Sequence, residues 1–442
     1  MSNHMSKSRA AVAPVAMAQL RWPMIGMLLA IAAVAYLDRS NISIAAAFLA
    51  HDLALSDVEL GVVFSAFALG YALSQPIAGR FADRYGACRM IAIGILLWSL
   101  LSTATAMIPA TRSAFAMLLA VRFTLGVSES VIFPASNRLV ANWVPANERG
   151  LATGLVLAGV GLGAGIAPPL MTTIVLAHGW RMAFVTSAFI GISALIVWLL
   201  VARESPAKHA LVRCRQLDYI NAGIAGQEAN VQAVDEVAEW RSIIGHRHVI
   251  LLTFSCFCFG YVAYIFFSWF FVYLSTVRGL DLESAGRYGT LPFIAMTVAS
   301  PLGGWISDKL AAKVGQRIGR CAVAGVGMTG AAAFIALATQ VSDVRNACLI
   351  LAAGSGVLYL AQSAFWTLSA DLGRSSAGSV AGMMNMGGQL GGVVVASLTP
   401  MLAHSLGWSA PFLSSAAVAL AGAAAWMFID PNAELVSVSR GS

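Results

Sequence analysis

The sequence predicts an all-α membrane protein whose twelve transmembrane helices form two pseudo-symmetric bundles of six. Three observations support this fold class: the composition, the long apolar segments and an internal repeat. Of the 442 residues, 59% are hydrophobic and only 11% are charged, whereas soluble domains are about 25% charged. Segments of about twenty apolar residues can cross a bilayer, and such segments recur along the whole chain. A polytopic membrane protein is therefore expected.

Twelve predicted spans follow one another, mostly with short connections. In chain order they cover residues 22–49, 57–81, 88–108, 113–141, 149–176, 181–202, 248–277, 284–307, 320–340, 344–371, 377–404 and 408–429. The one long polar stretch, residues 203–247, is predicted to link a bundle at 22–202 to a second bundle at 248–429. Residues 1–21 and 430–442 are predicted to be cytoplasmic tails.

Basic residues are unevenly distributed between the two ends of these spans. With both termini in the cytoplasm, twenty Lys and Arg residues lie on the cytoplasmic side and five on the opposite side. Loops rich in Lys and Arg stay in the cytoplasm, so the sequence predicts cytoplasmic termini in a bacterial inner membrane. Contacts with anionic lipid then account for the net charge of +7 without a nucleic-acid partner.

Several function classes are disfavoured by the residues themselves. No Lys follows a Gly, so the phosphate-binding loop GxxxxGK[ST] of ATP-driven machines is absent. The glycine-rich run at 154–169 lies within a span and is interpreted as a helix-packing surface. Cys256 and Cys258 have no metal-type neighbours in sequence and are interpreted as small hydrophobic residues. We expect no enzyme activity, no metal and no cofactor, with the proton as coupling ion.

An internal repeat relates the two sets of six spans. "SQPIAGRFADRYG" at 74–86 aligns with "ASPLGGWISDKLA" at 299–311, an offset of 225 residues. Residues 149–165 align with 377–393, and "HGWRMAFVTSA" at 178–188 aligns with "LGWSAPFLSSA" 228 residues later. A parallel repeat of six helices indicates two similar bundles with a substrate site between them, near the middle of the membrane.

The loop "GRFADRYGACR" resembles the signature GxxxDRxGxR of the major facilitator superfamily, and "GGWISDKLAAK" resembles its degenerate second copy. A glycine there permits close helix contact, and an aspartate can cap or pair with a neighbouring helix end. We interpret this loop as a conformational latch that carries no substrate information. Its residues are Gly79, Asp83, Arg84, Gly86 and Arg89.

Longer segments are similar to the anion:cation symporter family, in particular to bacterial sugar-acid/proton symporters for galactonate, glucarate and hexuronate. They are "YLDRSNISIA", "RFTLGVSESVIFPASNRLVANWVPANERG", "LDYI" at 217–220, "FWTLSADL" and "GMMNMGGQLGG". The resemblance covers nearly the whole chain. It implies the major facilitator fold and secondary active transport, but no segment identifies one substrate.

Two acids and two bases lie deep within predicted spans: Asp38, Arg39, Arg122 and Glu129. A charge at this depth costs at least about 2.5–3.5 kcal/mol, so such groups line a cavity or pair with one another. Protonation of the acids leaves net positive charge that an anion can neutralise. The alternative is a buried ion-pair cluster that only locks helices together. The resemblance implies that Asp38 and Glu129 are protonation sites, that Arg122 belongs to the coupling network and that Arg39 binds substrate.

Other polar or aromatic residues within the spans are weaker candidates for substrate contacts. Tyr71 and Gln75 share one face of the second span, and Asn137 follows Pro134 in the fourth. The candidates in the C-terminal half are Ser363, Trp366, Asn385 and Gln389. By resemblance, the first three of these match positions that line a sugar-acid site, although packing is an equally good interpretation of Trp366.

These features together predict a monomeric carrier that takes up a small organic anion with protons by alternating access. A sugar acid (an aldonate, hexuronate or aldarate) is the favoured substrate. A non-sugar carboxylate, such as tartrate or an aromatic acid, is the first alternative. Proton-driven efflux is the second, although two basic residues in the cavity argue against a cationic drug.

Overall fold

The computed structural model describes residues 20–208, 240–270, 273–280, 282–431 and 433. Throughout these residues the ordered elements are helices, and no β-strand occurs among them. The first tail except for its last two residues, the greater part of the predicted linker with its "LDYI" segment, and nearly all of the second tail lie outside the described residues.

The N-terminal half contains six spans. They are Arg21–Asp52, Asp57–Tyr85, Ala87–Ala106, the helix pair Ala114–Glu129 and Ile132–Trp143, Arg149–His178, and Trp180–Val201. The fourth span is broken because Pro134 has no N–H for the carbonyl of Ser130, which lies four residues earlier.

The C-terminal half repeats this order after a short helix at Trp240–Gly245. Its spans are Arg247–Ser268, Leu282–Val314, Gln316–Ala338, the helix pair Val344–Leu360 and Gln362–Gly373, Ala377–Leu406, and Ser409–Ala425. The seventh span ends earlier than the sequence predicts, and a π-helical turn, Tyr273–Val277, follows it. Eleven stretches are long and apolar enough to cross a membrane, and one of them, Val344–Leu406, contains both the tenth and the eleventh spans. The prediction of twelve spans is confirmed.

Glycines with positive φ connect paired spans in both halves. Gly86 (φ 96°) joins spans two and three, and Gly315 (φ 90°) joins spans eight and nine. Gly179 and Gly407 make the corresponding turns after spans five and eleven, with φ of 83° and 82°. Residues with a Cβ avoid this left-handed region. The repeat seen in the sequence is therefore also a repeat of turn geometry.

The two halves pack together through two crossings of glycine-bearing helices. At the first, between spans two and eleven, a Cβ on Gly79 would lie 2.0 Å from the carbonyl oxygen of Gly378. At the second, between spans five and eight, a Cβ on Gly304 would lie 1.9 Å from the carbonyl oxygen of Gly150. Both crossings lie towards the end of the bundle where the first span begins and the twelfth ends, which we call the termini side.

Candidate functional site

A cavity of about 200 Å³ lies between the two halves, near the middle of the spans. Spans one, two, four and five contribute one wall, and spans seven, ten and eleven contribute the other. The residues that line it are Tyr36, Arg39, Tyr71, Phe133, Leu157, Val160, Cys256, Phe259, Gly260, Ala263, Tyr264, Phe267, Tyr359, Gln362, Phe365, Trp366, Asn385, Gly388 and Gln389.

Arg39 is the only charged residue among the described residues that line this cavity. Its Nε and Nη2 donate to the same oxygen of Glu129, Oε2, at 3.3 and 3.0 Å. The Glu129 side chain is fully buried, whereas 16% of the Arg39 side chain is accessible. The other carboxylate oxygen, Oε1, has no hydrogen-bond partner. The guanidinium is therefore held by a buried acid on one side and reaches the cavity on the other.

Aromatic rings surround the Arg39 guanidinium. Its central carbon lies 4.3 Å from the ring centre of Tyr71, 4.6 Å from that of Tyr36 and 4.9 Å from that of Phe67. Cation–π contacts of this kind hold a guanidinium in place without neutralising it. The rings thus hold the guanidinium beside the cavity, while Glu129 balances its charge.

Asp38 lies on a different face of the first span and does not line the cavity. Only 2% of the residue is exposed. The hydroxyl of Ser102, in the third span, donates to both of its carboxylate oxygens at 2.7 and 2.9 Å. Asn41, one turn further along, donates to Ser187 of the sixth span at 3.1 Å. Asp38 therefore belongs to a polar cluster inside the N-terminal half.

Arg122 is buried between these two acids. Its Nε and Nη1 atoms have no hydrogen-bond partner, and it interacts electrostatically with both Asp38 and Glu129. Its guanidinium lies 4.8 Å from the ring centre of Phe67, which also contacts Arg39. The Phe67 ring therefore touches both guanidiniums, of which only Arg39 reaches the cavity.

The structure divides the other predicted substrate residues into two groups. Tyr71, Trp366, Asn385 and Gln389 line the cavity, and Tyr264 donates its hydroxyl to Oε1 of Gln389 at 2.5 Å. Their predicted contact with substrate is not tested by this placement.

Three other predicted substrate residues do not line this cavity, and their contact with substrate is likewise not tested. Asn137 donates to Ser369 across the two halves at 3.0 Å, and Ser363 donates to the carbonyl of Ser300 at 2.7 Å. Gln75 is fully buried, and Gly382 packs against its backbone. All three are on helix faces that pack against neighbouring spans, so the cavity does not reach them.

Several polar residues of the cavity wall were not predicted, among them Tyr36 and Gln362. Tyr36 lies one turn before Arg39, within the segment "YLDRSNISIA". Gln362 begins the second helix of the broken tenth span, and its Oε1 accepts the hydroxyl of Ser300 at 2.8 Å. A glutamine inside an apolar span needs partners, and that signal alone could have identified Gln362.

Below the cavity, aspartates close the termini side at both crossings. Asp83 accepts the backbone N–H groups of Gly378 and Ser379 at 3.0 and 2.7 Å, at the start of span eleven. Asp308 accepts those of Gly150 and Leu151 at 3.0 and 2.8 Å, at the start of span five. A carboxylate favours the positive end of a helix dipole. Each half therefore caps a helix of the other half.

The remaining residues of the predicted latch lie at the same end of the molecule. Arg84 and Arg89 are exposed. Asp83 also pairs with Arg138 at 3.8 Å, whose Nη1 donates to the carbonyl of Arg374 in the other half. The latch is thus a set of contacts between the halves rather than a property of one loop.

Comparisons with known proteins agree with this architecture. Residues 28–396 match the family described as Major Facilitator Superfamily. The chain is 34% identical to a "Probable sulfoacetate transporter" of Cupriavidus necator, over 90% of this chain and 91% of that protein. It is 29% identical to the "Hexuronate transporter" of Bacillus subtilis, over 92% and 94% of the two chains.

A third relative and two solved structures extend the comparison. A "Probable galactarate/D-glucarate transporter" of Bacillus subtilis is 32% identical over 70% of each chain. The proton:xylose symporter XylE has a TM-score of 0.72 at 15% identity, covering 93% of this chain and 97% of its own. The transporter FucP in its outward conformation has a TM-score of 0.71 at 14% identity, covering 92% and 99%. At these identities the two structures establish the shared fold alone.

Proposed function

This chain belongs to the Major Facilitator Superfamily and is a membrane transporter rather than an enzyme, and we propose that it couples the uptake of a small organic anion, a sugar acid, to protons. One observation carries the proposal. Among the described residues, the cavity is lined by a single guanidinium, that of Arg39, which is paired with the buried carboxylate of Glu129. Cation and acid together can bind an anion and a proton in one site.

The coupling follows from competition for Arg39. With Glu129 ionised, its oxygen occupies two donors of the guanidinium. Protonation removes the negative charge, and the guanidinium is then free to bind a substrate carboxylate with two parallel hydrogen bonds. Substrate and proton thus favour each other's binding, as linkage requires. Asp38 and Arg122 lie next to this pair and complete the charge balance inside the N-terminal half.

The C-terminal wall supports a hydroxylated substrate. Gln362, Asn385 and Gln389 bring three neutral amides to the cavity, and Tyr264 adds a hydroxyl. Such groups hydrogen-bond sugar hydroxyls. Two relatives are named for hydroxylated acids, hexuronate and galactarate or glucarate, and a third is named for sulfoacetate, an acid without hydroxyls.

The contacts between the halves indicate which side of the cavity this conformation closes. The aspartate caps and glycine crossings close the termini side below the cavity. With both termini in the cytoplasm of a bacterium, as the basic residues predict, this conformation is the one that receives substrate from outside. Import then proceeds by opening these contacts while the opposite side closes.

The test is accumulation of labelled gluconate or glucuronate in liposomes that contain the purified protein. An imposed inward proton gradient should concentrate the sugar acid, and a protonophore should abolish the accumulation. Glu129→Gln should not accumulate substrate under the gradient, because glutamine cannot release a proton. It should still exchange labelled for unlabelled substrate, since a neutral amide at this position leaves Arg39 free.

Glu59→Gln is the matched control. Glu59 lies in an exposed helix cap, where its Oε2 accepts from the backbone N–H and the hydroxyl of Ser56 at 2.9 and 2.8 Å. It does not line the cavity, so this variant makes the same change from carboxylate to amide at an unrelated position. This variant should accumulate substrate as the wild type does. Accumulation by Glu129→Gln at the wild-type level would refute the coupling.

An aromatic carboxylate is a second candidate substrate. Nine of the lining side chains are aromatic, including Phe133 and Trp366, whose ring centres lie 5.7 Å apart across the two halves. Flat rings would stack between such walls while a carboxylate reaches Arg39. Competition by benzoate or 4-hydroxyphenylacetate, without competition by any sugar acid, would establish this candidate in place of the first.

A further inference from the structure

We propose that the cavity selects organic acids with one negative charge, and that Gln362 sets this selection by presenting a neutral amide where an acid with two charges needs a second cation. The inference rests on the proposed function, because it concerns the anion that Arg39 receives. It divides the sugar acids: aldonates and hexuronates are substrates, and aldarates are excluded. This rule separates the chain from its relatives named for sulfoacetate and for galactarate or glucarate, which are acids with two negative charges.

The charge inventory of the cavity supports this rule. Arg39 is the one charged side chain among the described residues that line it. Arg122 is only 2% exposed and does not line the cavity, and its electrostatic partners are the two buried acids. A first carboxylate therefore finds a cation in the cavity, whereas a second one finds none.

The basic residues below the cavity are already engaged. Arg149 donates to Asp371 at 2.9 Å, and Arg320 donates to Asp308 at 2.5 Å. Both arginines are buried on the termini side, and neither lines the cavity. Charge on a ligand cannot recruit them without breaking buried ion pairs, and breaking such a pair is strongly unfavourable.

Gln362 lines the cavity from the half opposite to Arg39. Its position is fixed twice: it begins a helix at the break of the tenth span, and Ser300 of the eighth span donates to its Oε1 at 2.8 Å. Ser363, next in sequence, ties the same helix start to the carbonyl of Ser300. Because Oε1 is engaged by Ser300, the amide nitrogen is the donor that the proposal assigns to the ligand.

A neutral donor discriminates between a sugar acid whose far end carries a hydroxyl and one whose far end carries a second carboxylate. A hydroxyl accepts a hydrogen bond from an amide and leaves no charge behind. A second carboxylate accepts the same bond but keeps a full negative charge in an apolar, aromatic enclosure, which is far more costly than burial of a hydroxyl. The amide thus favours the uncharged end.

The test uses two matched ligand pairs that differ by one carboxylate: gluconate against glucarate, and benzoate against phthalate. Binding of each to the purified wild-type protein is measured by calorimetry at the same pH. We expect gluconate to bind at least about tenfold more tightly than glucarate, a ratio that an unpaired buried charge readily exceeds. Equal affinities, or tighter binding of glucarate, would overturn the proposal.

Variants at position 362 then test the residue itself. Gln362→Arg and Gln362→Lys each add a second cation to the wall and should raise the affinity for glucarate relative to gluconate by about tenfold or more. Gln340→Arg, at an exposed turn after the ninth span, adds the same charge elsewhere and should leave the ratio unchanged. A ratio that neither Gln362→Arg nor Gln362→Lys changes, in proteins that still bind gluconate, would reject the role of Gln362.

The second ligand pair separates this inference from the proposed substrate. If neither sugar acid binds but benzoate binds more tightly than phthalate, the sugar-acid proposal fails and the charge rule stands. If gluconate and glucarate both bind with equal affinity, the sugar-acid proposal stands and the charge rule fails. If none of the four anions binds, both proposals are refuted.

Discussion

The N-terminal and C-terminal walls of the cavity come from corresponding spans, yet they carry different chemistry. Spans one and four bring Arg39 and Glu129, with Asp38 and Arg122 buried close by. Their counterparts, spans seven and ten, bring Tyr264, Gln362 and aromatic rings to the cavity. The repeat has kept the backbone arrangement of the two halves while their charges diverged. Under the proposed function, the N-terminal wall couples protons to an anion, and the C-terminal wall identifies the anion.

The two crossings between the halves also differ in the charged residues that they bury. Both use a glycine contact and an aspartate cap, but the crossing of spans five and eight adds a buried network. Arg149 pairs with Asp371 at 2.9 Å, and Arg320 pairs with Asp308 at 2.5 Å. At the crossing of spans two and eleven, Asp83 has Arg138 at 3.8 Å. One crossing therefore holds more buried charge than the other.

The largest effect is expected from Asp38, which is buried inside the N-terminal half beside Ser102. Asp38→Asn should abolish accumulation of substrate under a proton gradient, because asparagine cannot bind and release a proton. Asp343→Asn is the control, since Asp343 caps a helix of the C-terminal half through a bond to the N–H of Asn346 that asparagine can also make. The measurement is the ratio of substrate inside to substrate outside the liposomes. If this ratio is the same for Asp38→Asn and wild type, Asp38 is not part of the coupling network.

The second-largest effect is expected from substitutions of Arg39, the one charged residue among the described residues that line the cavity. Arg39→Ala removes one partner of a buried ion pair and should weaken anion binding by about 2–5 kcal/mol. Arg39→Lys keeps the charge but loses the planar fork that grips a carboxylate, so its affinity should fall between those of wild type and Arg39→Ala. Calorimetric titration with gluconate measures all three. Identical affinity of the Lys variant and wild type would show that charge alone suffices.

The two crossings offer a direct comparison of matched variants. Asp308→Asn leaves the buried Arg320 with only its longer carboxylate contact, to Asp371 at 3.9 Å, and should destabilise the protein by about 3 kcal/mol. Asp83→Asn affects a longer pair whose arginine is 22% exposed, so its cost should be about 1 kcal/mol. Thermal unfolding in detergent ranks them. If Asp83→Asn lowers the melting temperature more than Asp308→Asn does, the crossing of spans two and eleven is the stronger one.

A smaller and more selective effect is expected on the C-terminal wall. Asn385 lines the cavity, and a wrong ligand that leaves its amide unpaired costs about 1–3 kcal/mol. Asn385→Ala should therefore lose discrimination between epimers of a sugar acid more than it loses affinity for anions in general. A competition panel of epimeric aldonates and uronates tests this. The same rank order in variant and wild type would reject the role.

The smallest effect concerns the side opposite the termini. Asp52 lies beyond the membrane-spanning stretch Arg21–Ala46. Hydrogen bonds from Arg181 and Trp180 lower the pKa of its carboxyl. A lowered pKa means that this contact stabilises the folded protein above the unfolded pKa of about 3.9 and that the stabilisation is lost as the pH falls through the folded value. Since both side chains are 42% exposed, the effect should stay below about 1 kcal/mol.

Among the described residues on the same side of the C-terminal half, Arg278 makes its hydrogen bonds to neutral acceptors. It donates to the carbonyls of Val341 and Ser342 and to the hydroxyl of Tyr273. The difference in melting temperature between wild type and Asp52→Asn should therefore shrink between pH 6 and pH 3, whereas that between wild type and Arg278→Gln should stay constant. A constant difference for Asp52→Asn would exclude a charged Asp52 contact.

Much of the fold could be predicted from the sequence because bilayer crossing depends on local composition. Twelve apolar segments, the repeat and the latch loop each follow from residue types at fixed spacing. The burial of Asp38 and Glu129 could likewise be expected, since two acids within apolar spans need shelter from lipid. Pro134 favours the break in the fourth span, but the tenth span is broken at Ala361 without a proline.

The sequence could not decide which side of a helix meets the cavity and which meets another span. Gln75, Asn137 and Ser363 are polar residues of the expected type, but packing between spans turns them away from the cavity. Asp38 and Arg39 are neighbours in the chain, and only the positions of the third and fourth spans assign one to Ser102 and the other to Glu129. Composition and spacing thus determined the class of protein and its number of spans. The site itself was decided by tertiary packing, because each contact in it joins residues far apart in the chain, and no local pattern records which helix faces meet.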